Sequence, residues 1–467
     1  MVSRKVMRRR RQFAVGGAVV LVLLIYVAFF SGGSSAPPKA PVTTHHAAAA
    51  AEHFPKHSPL NPDWTGNGKA VTLGFGGDVH FAGAVGVSLA KNPATALGTT
   101  IPQLFTGTQL RMVNLETAVT NGTCPEPQSK PYIFDAPASA MTALKSATVT
   151  VATEANDHGM DCGPQGLSQN LTIAAQAKYP ILGIGNTAAQ AFAPYRVTIN
   201  GQRVAIITAT QVIADNLVAT WTASSTQPGV ASAIDPTQLV REVQQVRKTA
   251  DTVIVYAHWG TETQACPNPQ QEPLAEQLVK AGADIVIGSG THVLLGAGYL
   301  GGAYVDYGLG NLAFYDNTAP ETDSGTLVVT AQGRHVTGAV WRPATILNGV
   351  PQPLTGTPAT AAVASWNAAR SCTNLSVTPT ANLTTMRGET VPFVAPAAPP
   401  ATTTTTAAGS STGSSTTTTA PAAGGKTGGG GSATTTTTTA SSSSSTTTTT
   451  TTVPASTTTQ ATDNAGG

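Results

Sequence analysis

The chain of 467 residues predicts an α/β fold over residues 67–345, and three observations point to it. Apolar runs of strand length alternate with segments of helical period. One stretch, 252–287, reads strand, helix, strand, which is the βαβ unit of a parallel sheet. Ionisable residues gather where these runs end rather than along them, as ligand-binding residues do at the carboxyl ends of strands in α/β sheets.

The strand-length runs are 70–76, 110–114, 149–152, 252–257 and 284–287. Residues 195–208 predict a hairpin, because Asn200-Gly201 supplies the two positive-φ positions of a type I′ turn. Asp235-Pro236 predicts an N-cap followed by proline at the first helical position, with Leu239, Val240, Val243 and Val246 on one face. A second helix is expected from near Gln270, directing Leu274 and Leu278 inward and closing at Gly282. Antiparallel strands are expected near 301–341. About 280 residues suffice for one substantial core.

The flanks differ in texture. Residues 1–12 are basic: Arg4, Lys5, Arg8, Arg9, Arg10 and Arg11 precede an uncharged apolar run at 13–30. Those 18 residues are just long enough to span a bilayer, and the preceding charges hold that end in the cytoplasm. The alternative is a cleaved signal peptide, since Ser34 and Ala36 resemble a cleavage site. The length of the run and Pro37-Pro38 favour an anchor, with the main domain outside the cytoplasm. Residues 31–66 read as a linker, in which His45 and His46 form an isolated pair. Residues 346–399 read as a C-terminal extension. Residues 400–467 are almost wholly Thr, Ser, Gly and Ala, with Lys426 and Asp463 the only charges. Such a segment buries too little apolar surface to offset its chain entropy, so it is expected to be disordered.

The formal charge of +2 hides an asymmetry. Seven of the 25 Lys and Arg precede residue 42, leaving 18 bases against 23 acids, a net of −5. A mildly acidic domain without a basic cluster excludes nucleic acid as the expected partner. Cys124, Cys162, Cys266 and Cys372 form no C-x-x-C pair. In an oxidising compartment they predict one or two disulfides, with all three full pairings open.

The strand-end residues form a set. Asp78 and His80 follow the first run, Asn114-Leu115-Glu116 closes the second, and Asn156-Asp157-His158 follows the third. His258 ends a later run with Glu262 beyond it, and Gly288-Ser289-Gly290-Thr291-His292 ends the last. One such residue alone reads as a turn, a cap or a hydrogen-bonded core group. Together they supply carboxylate and imidazole, the ligand mix of Mn, Fe, Zn or Mg in hydrolytic two-metal sites.

The segments GDVH, NLETAV, ANDHGMDCGPQGL, GIGN, HWGTE, GSGTHV and YGLGNLAF give the chain a family resemblance over about residues 69–316. In order and spacing they resemble the CapA, or poly-γ-glutamate capsule synthesis, family, which is similar to calcineurin-like metallophosphatases. That resemblance implies a metallophosphoesterase-like β-sandwich flanked by helices. It assigns one metal to Asp78, His80, Glu116 and His292. It assigns a second to Glu116, Asp157 and His258, with Asp157 where the pattern has Asn and no imidazole at position 290. It makes His158 the general acid and places Asn156, Glu262 and Asn311 near substrate. One tight and one weak divalent metal are therefore expected. The resemblance implies metal-assisted hydrolysis of a phosphoester or envelope polymer. The alternative is a non-enzymatic, membrane-tethered component supporting export or anchoring of a capsule polymer, within a capsule-synthesis membrane complex.

Overall fold

A computed structural model of the chain describes residues 58–315 and 318–380. These fall within the first of two units, Met1–Ala397. The second unit, Ala398–Gly467, lies outside the described residues, as do the expected anchor at 13–30 and the tail. Among the described residues no helix is long and apolar enough to cross a membrane.

Two large sheets form the centre. In neighbour order the first runs Val350–Pro353, His335–Leu347, Asp323–Gln332, Val71–Val79, Leu110–Leu115, Val151–Thr153 and Ile181–Leu182, with Asn311–Ala313 pairing the end of Val71–Val79. The second runs Ala297–Leu300, Ala303–Asp306, Ile285–Ser289, Thr252–His258, Gln202–Thr210 and Tyr195–Ile199. The strands nearest the middle of each sheet are parallel: Val71–Val79 with Leu110–Leu115, and Thr252–His258 with both its neighbours.

Alternation along each strand explains why the sheets stack. Leu73, Phe75 and Met112 of the first sheet meet Ile206, Ile254, Tyr256 and Ile287 of the second in one apolar cluster. The intervening residues of the second sheet, Ala205, Ile207, Val253 and Val255, face outward. They pack against Leu239, Val243 and Val246 of helix Thr237–Arg247 and Leu274 and Leu278 of helix Gln271–Ala281. Val113, Leu115 and Ala152 do the same on the first sheet, against Leu144 and Ile173 of helices Ala140–Ser146 and Gly163–Ala177. Strands covered on both faces read as continuous apolar runs, which is why these stood out in sequence. The result is a mixed α/β fold with helices outside two facing sheets.

Several local expectations meet their reasons here. Asn200 and Gly201 take φ of 53° and 80°, and Ile199 pairs with Gln202 across the turn. Helix Gln271–Ala281 closes on Gly282, whose N–H donates to Leu278 and Val279 carbonyls. The Asp235 carboxylate accepts from the Thr237 N–H at 2.9 Å, so the helix starts at Thr237 and Pro236 sits at the cap rather than at the first helical position. The first strand continues past residue 76 to Val79. A Cβ at Gly77 would lie 1.8 Å from the Gly310 carbonyl oxygen, the acceptor of the Asp78 N–H, so only glycine allows that close approach.

The chain beyond 345 also packs on the domain. Strand His335–Leu347 crosses that position, and helix Gly356–Ala368 places Trp366 in a parallel stack on Trp341, centroids 5.6 Å apart. At the other end, Trp64 donates its indole N–H to Asp251 at 2.9 Å. Two disulfides close the set, Cys124–Cys162 and Cys266–Cys372, and no cysteine is free among the described residues.

Candidate metal centre

The carboxyl ends of the parallel strands from both sheets converge. Strand Val71–Val79 brings Asp78 and, one residue beyond it, His80; strand Leu110–Leu115 brings Asn114 and then Glu116. The loop after Val151–Thr153 carries Asn156, Asp157 and His158. From the second sheet come His258, which ends its strand, and Gly290 and His292, which follow theirs. The Glu116 N–H donates to the Val79 carbonyl, and the His80 N–H to Ala313, so the backbone ladder itself sets both side chains.

Two groups of side chains have ligand atoms within 4.8 Å of one another: Asp78, Glu116 and His258, and Glu116, Asp157 and His158. Glu116 belongs to both. His258 groups with Asp78 and Glu116, and its Nε2 also lies 3.2 Å from an oxygen of Asp157, with which the family pattern pairs it. His292 borders the first group, 3.4 Å from Asp78 and 3.5 Å from Glu116. Its φ of 58° is left-handed, a strained state costing ~1–2 kcal/mol that the surrounding contacts hold in place.

The electrostatics divide the carboxylates. Burial, then the charges of Asp78 and Asp157, push Glu116 well above the usual carboxylate range. For Asp78, burial pushes upward but the His292 contact and the neighbouring imidazoles outweigh it, and the net shift is down. At Asp157 burial is likewise outweighed, by His158, His258 and Lys130, and the group sits well below its ordinary value. Burial pushes His292 down, but Glu116 and Asp78 outweigh it and hold the imidazole well above its ordinary value. Burial, reinforced by His158 and His292, lowers His80 to about 3 and keeps it neutral.

These residues fit a divalent cation on two counts. Both ring nitrogens of buried His80 lack a hydrogen-bond partner among the described residues, and a metal would satisfy one of them, although His80 belongs to neither ligand group. The Asn114 amide nitrogen faces three acceptors, Asp78 at 2.9 Å, Glu116 at 3.0 Å and His258 at 3.2 Å, with only two hydrogens to give. Excess lone pairs directed at one place are what a cation neutralises.

Around this core the remaining candidates take other parts. The His158 ring stacks on Phe134 at 4.0 Å, its Nδ1 lies 2.5 Å from an Asp161 oxygen, and its Nε2 faces Asp157 at 3.4 Å. Asn156, expected at substrate, spends its amide inside the protein. It donates to Asn114 and to the Leu115 carbonyl at 2.8 Å each and accepts the His158 N–H at 2.9 Å. Asn311 likewise orients a candidate ligand: its oxygen is 3.0 Å from His292 Nδ1 and its amide donates to Glu321. Glu262 is exposed and lines an open pocket of about 380 Å³ together with Lys130, Tyr132, Asp157, His158 and Trp221.

Three residues at the site escaped the sequence reading of roles. Asp161 stands three residues after His158, a spacing visible in the sequence. Asn114 was visible as a strand end. Lys130 lies in a loop far from the other motifs and gave no signal.

Residues 72–316 match the family model described as Bacterial capsule synthesis protein PGA_cap. The chain is 28% identical over 255 residues to the PGA biosynthesis protein CapA of Bacillus subtilis strain 168, covering 54% of this chain and 66% of that protein. It is 32% identical over 219 residues to the capsule biosynthesis protein CapA of Bacillus anthracis, covering 46% and 52%. The chain thus spans about half to two thirds of the length of these curated relatives. A solved structure of a putative 5'-nucleotidase from Staphylococcus aureus aligns at 13% identity with a TM-score of 0.39, covering 64% of this chain and 58% of that one.

Proposed function

The chain belongs to the bacterial capsule synthesis protein family, and from that premise we propose that it is a membrane-anchored, extracytoplasmic, metal-dependent hydrolase serving capsule-polymer synthesis. Its substrate is a phosphoester or the envelope polymer itself. The observation that supports this most is Glu116, which groups with Asp78 and His258 on one side and lies beside Asp157 and the Asp161-held imidazole of His158 on the other.

A bound divalent cation supplies Lewis-acid charge and lowers the pKa of an attacking water. The protein's own residues do the rest. Asp161 accepts the Nδ1–H of His158, which fixes the tautomer and leaves Nε2 as the atom that handles the leaving oxygen's proton. Phe134 stacked on the imidazole holds its plane. The pocket beside His158 gives substrate an open approach, with Glu262 and Tyr132 on its wall. The two disulfides support a location in an oxidising compartment.

The test is turnover of bis-p-nitrophenyl phosphate by the metal-stripped chain with Mn²⁺ or Zn²⁺ restored. Turnover should require metal, and His158→Gln should lower it by about 10²–10⁴-fold while binding the same metal. Metal binding by the parent with no turnover of phosphodiesters or of capsule polymer would instead support a non-enzymatic role in export or anchoring.

A further inference from the structure

Lys130 occupies an unusual position for a lysine. Its side chain is 8% exposed, and its ammonium lies 3.5 Å from an Asp157 oxygen, 3.1 Å from Asp161 and 3.3 Å from His158 Nδ1. It also donates to the Asp157 carbonyl and sits 5.4 Å from the centre of the Trp221 ring. It therefore touches two of the three members of the second ligand group, Asp157 and His158. Among the described residues it makes no hydrogen bond or ion pair with Asp78 or His258 of the first.

The loop that carries Lys130 is strapped down on both sides. Cys124 is bonded to Cys162, Gln128 N–H donates to the Asp161 carbonyl at 3.0 Å, and Phe134 N–H donates to the Asp161 carboxylate at 2.6 Å. Trp221 donates its indole N–H to Gln128 at 3.3 Å. Such a lysine is placed, not adventitious, because the disulfide and the two Asp161 bonds fix the loop against the segment holding Asp157 and His158, and Trp221 holds it from the other side.

Beside Asp78 and His258, position 290 adds no further imidazole to the centre. Gly290 stands there with φ of 98°, and a Cβ on it would lie 2.8 Å from the His258 ring. The backbone fills the place from which a further side chain would reach.

Resting on the metal-centre reading above, we propose that Lys130 is the resident second cation of the centre. Its ammonium balances Asp157 beside His158, so a single divalent ion is held on the Asp78, Glu116 and His258 side. A unit positive charge within 4 Å of a ligand carboxylate opposes a second dication there by direct repulsion and by occupying the carboxylate's lone pairs. The ammonium also gives a phosphate or carboxylate group of substrate, entering through the adjoining pocket, a fixed positive partner.

The experiment is calorimetric titration of the metal-stripped, full-length chain with Mn²⁺ for the parent, Lys130→Met, Lys130→Gln and Lys130→Arg, with thermal melts run alongside. The parent should bind one equivalent. Both neutral variants should gain a second equivalent, tightened by about tenfold or more, the effect a neighbouring unit charge has on a titrating group. Lys130→Arg should bind as the parent does. Neutral variants that bind as the parent does would overturn the assignment of Lys130, as would an arginine variant that gains as much as they do. A parent that binds two equivalents within tenfold of each other would overturn it without any variant. The parent's first equivalent separately decides the metal reading, since a chain binding no Mn²⁺ loses that reading whatever Lys130 does.

Discussion

At position 290 the main chain, not a side chain, meets the centre: the Gly290 N–H lies 3.3 Å from the Asp78 carboxylate. Sequence spacing alone suggests that Gly290→His would restore an H-x-H pair with His292 and strengthen a second metal site. The structure reverses that expectation, because φ of 98° and contact with the His258 ring both oppose a side chain there. Gly290→His should therefore lower the melting temperature and weaken Mn²⁺ binding, measured by thermal melts and calorimetry; tighter binding with an unchanged melt would contradict the geometry. Legibility at this scale followed chain position. Asp78, Glu116, Asp157, His158, His258 and His292 were readable because each ends or follows an apolar run. Lys130 was not, since its neighbours Asp157, Asp161 and Trp221 are brought to it only by the fold. Asn156 and Asn311 were legible as parts of motifs expected near substrate, and only the hydrogen-bond geometry shows that they hold other candidate residues.

At the scale of elements, strand Ala303–Asp306 ends in a fully buried carboxyl group. Asp306 accepts the Gly308 N–H at 2.9 Å through one oxygen, and the other has no partner among the described residues. Burial raises its pKa to about 8, against the opposing Gly308 hydrogen bond. Between about pH 4 and that value the folded chain holds a proton that the unfolded chain has lost. Its contribution to stability is thus fully present below about pH 4 and disappears as pH rises towards 8. Asp306→Asn removes this loss, so the variant's melting temperature relative to the parent should climb between pH 4.5 and pH 8. An equal difference at the two pH values would show that Asp306 ionises freely in the fold. The hairpin at Asn200-Gly201 and the helix closing on Gly282 were legible because local backbone chemistry dictates them. The true end of the first strand was not. Its last residues are held by pairing with Asn311–Ala313, far along the chain.

For the whole molecule, the site exists only because two sheets present their carboxyl ends to the same space, which no single segment encodes. The two disulfides span 38 and 106 residues of sequence, and the longer ties the segment after helix Gly356–Ala368 to the loop following His258. Closing a loop of that length is worth about 4–5 kcal/mol in the chain-entropy model. Sequence reading gave the even cysteine count without the pairing. The proposed topology predicts that protease added to cells stripped of their outer wall cuts the tail and releases the disulfide-bonded domain from a membrane-retained stub. Recovery of the domain in the medium, lacking its first 36 residues, would mark residues 13–30 as a cleaved signal. Whether Glu116 lies at a divalent-metal centre is decided by anomalous X-ray diffraction from crystals grown with Mn²⁺. A strong manganese peak bonded by Asp78, Glu116 and His258 is expected; well-diffracting crystals with no peak within bonding distance of Glu116 would rule the centre out.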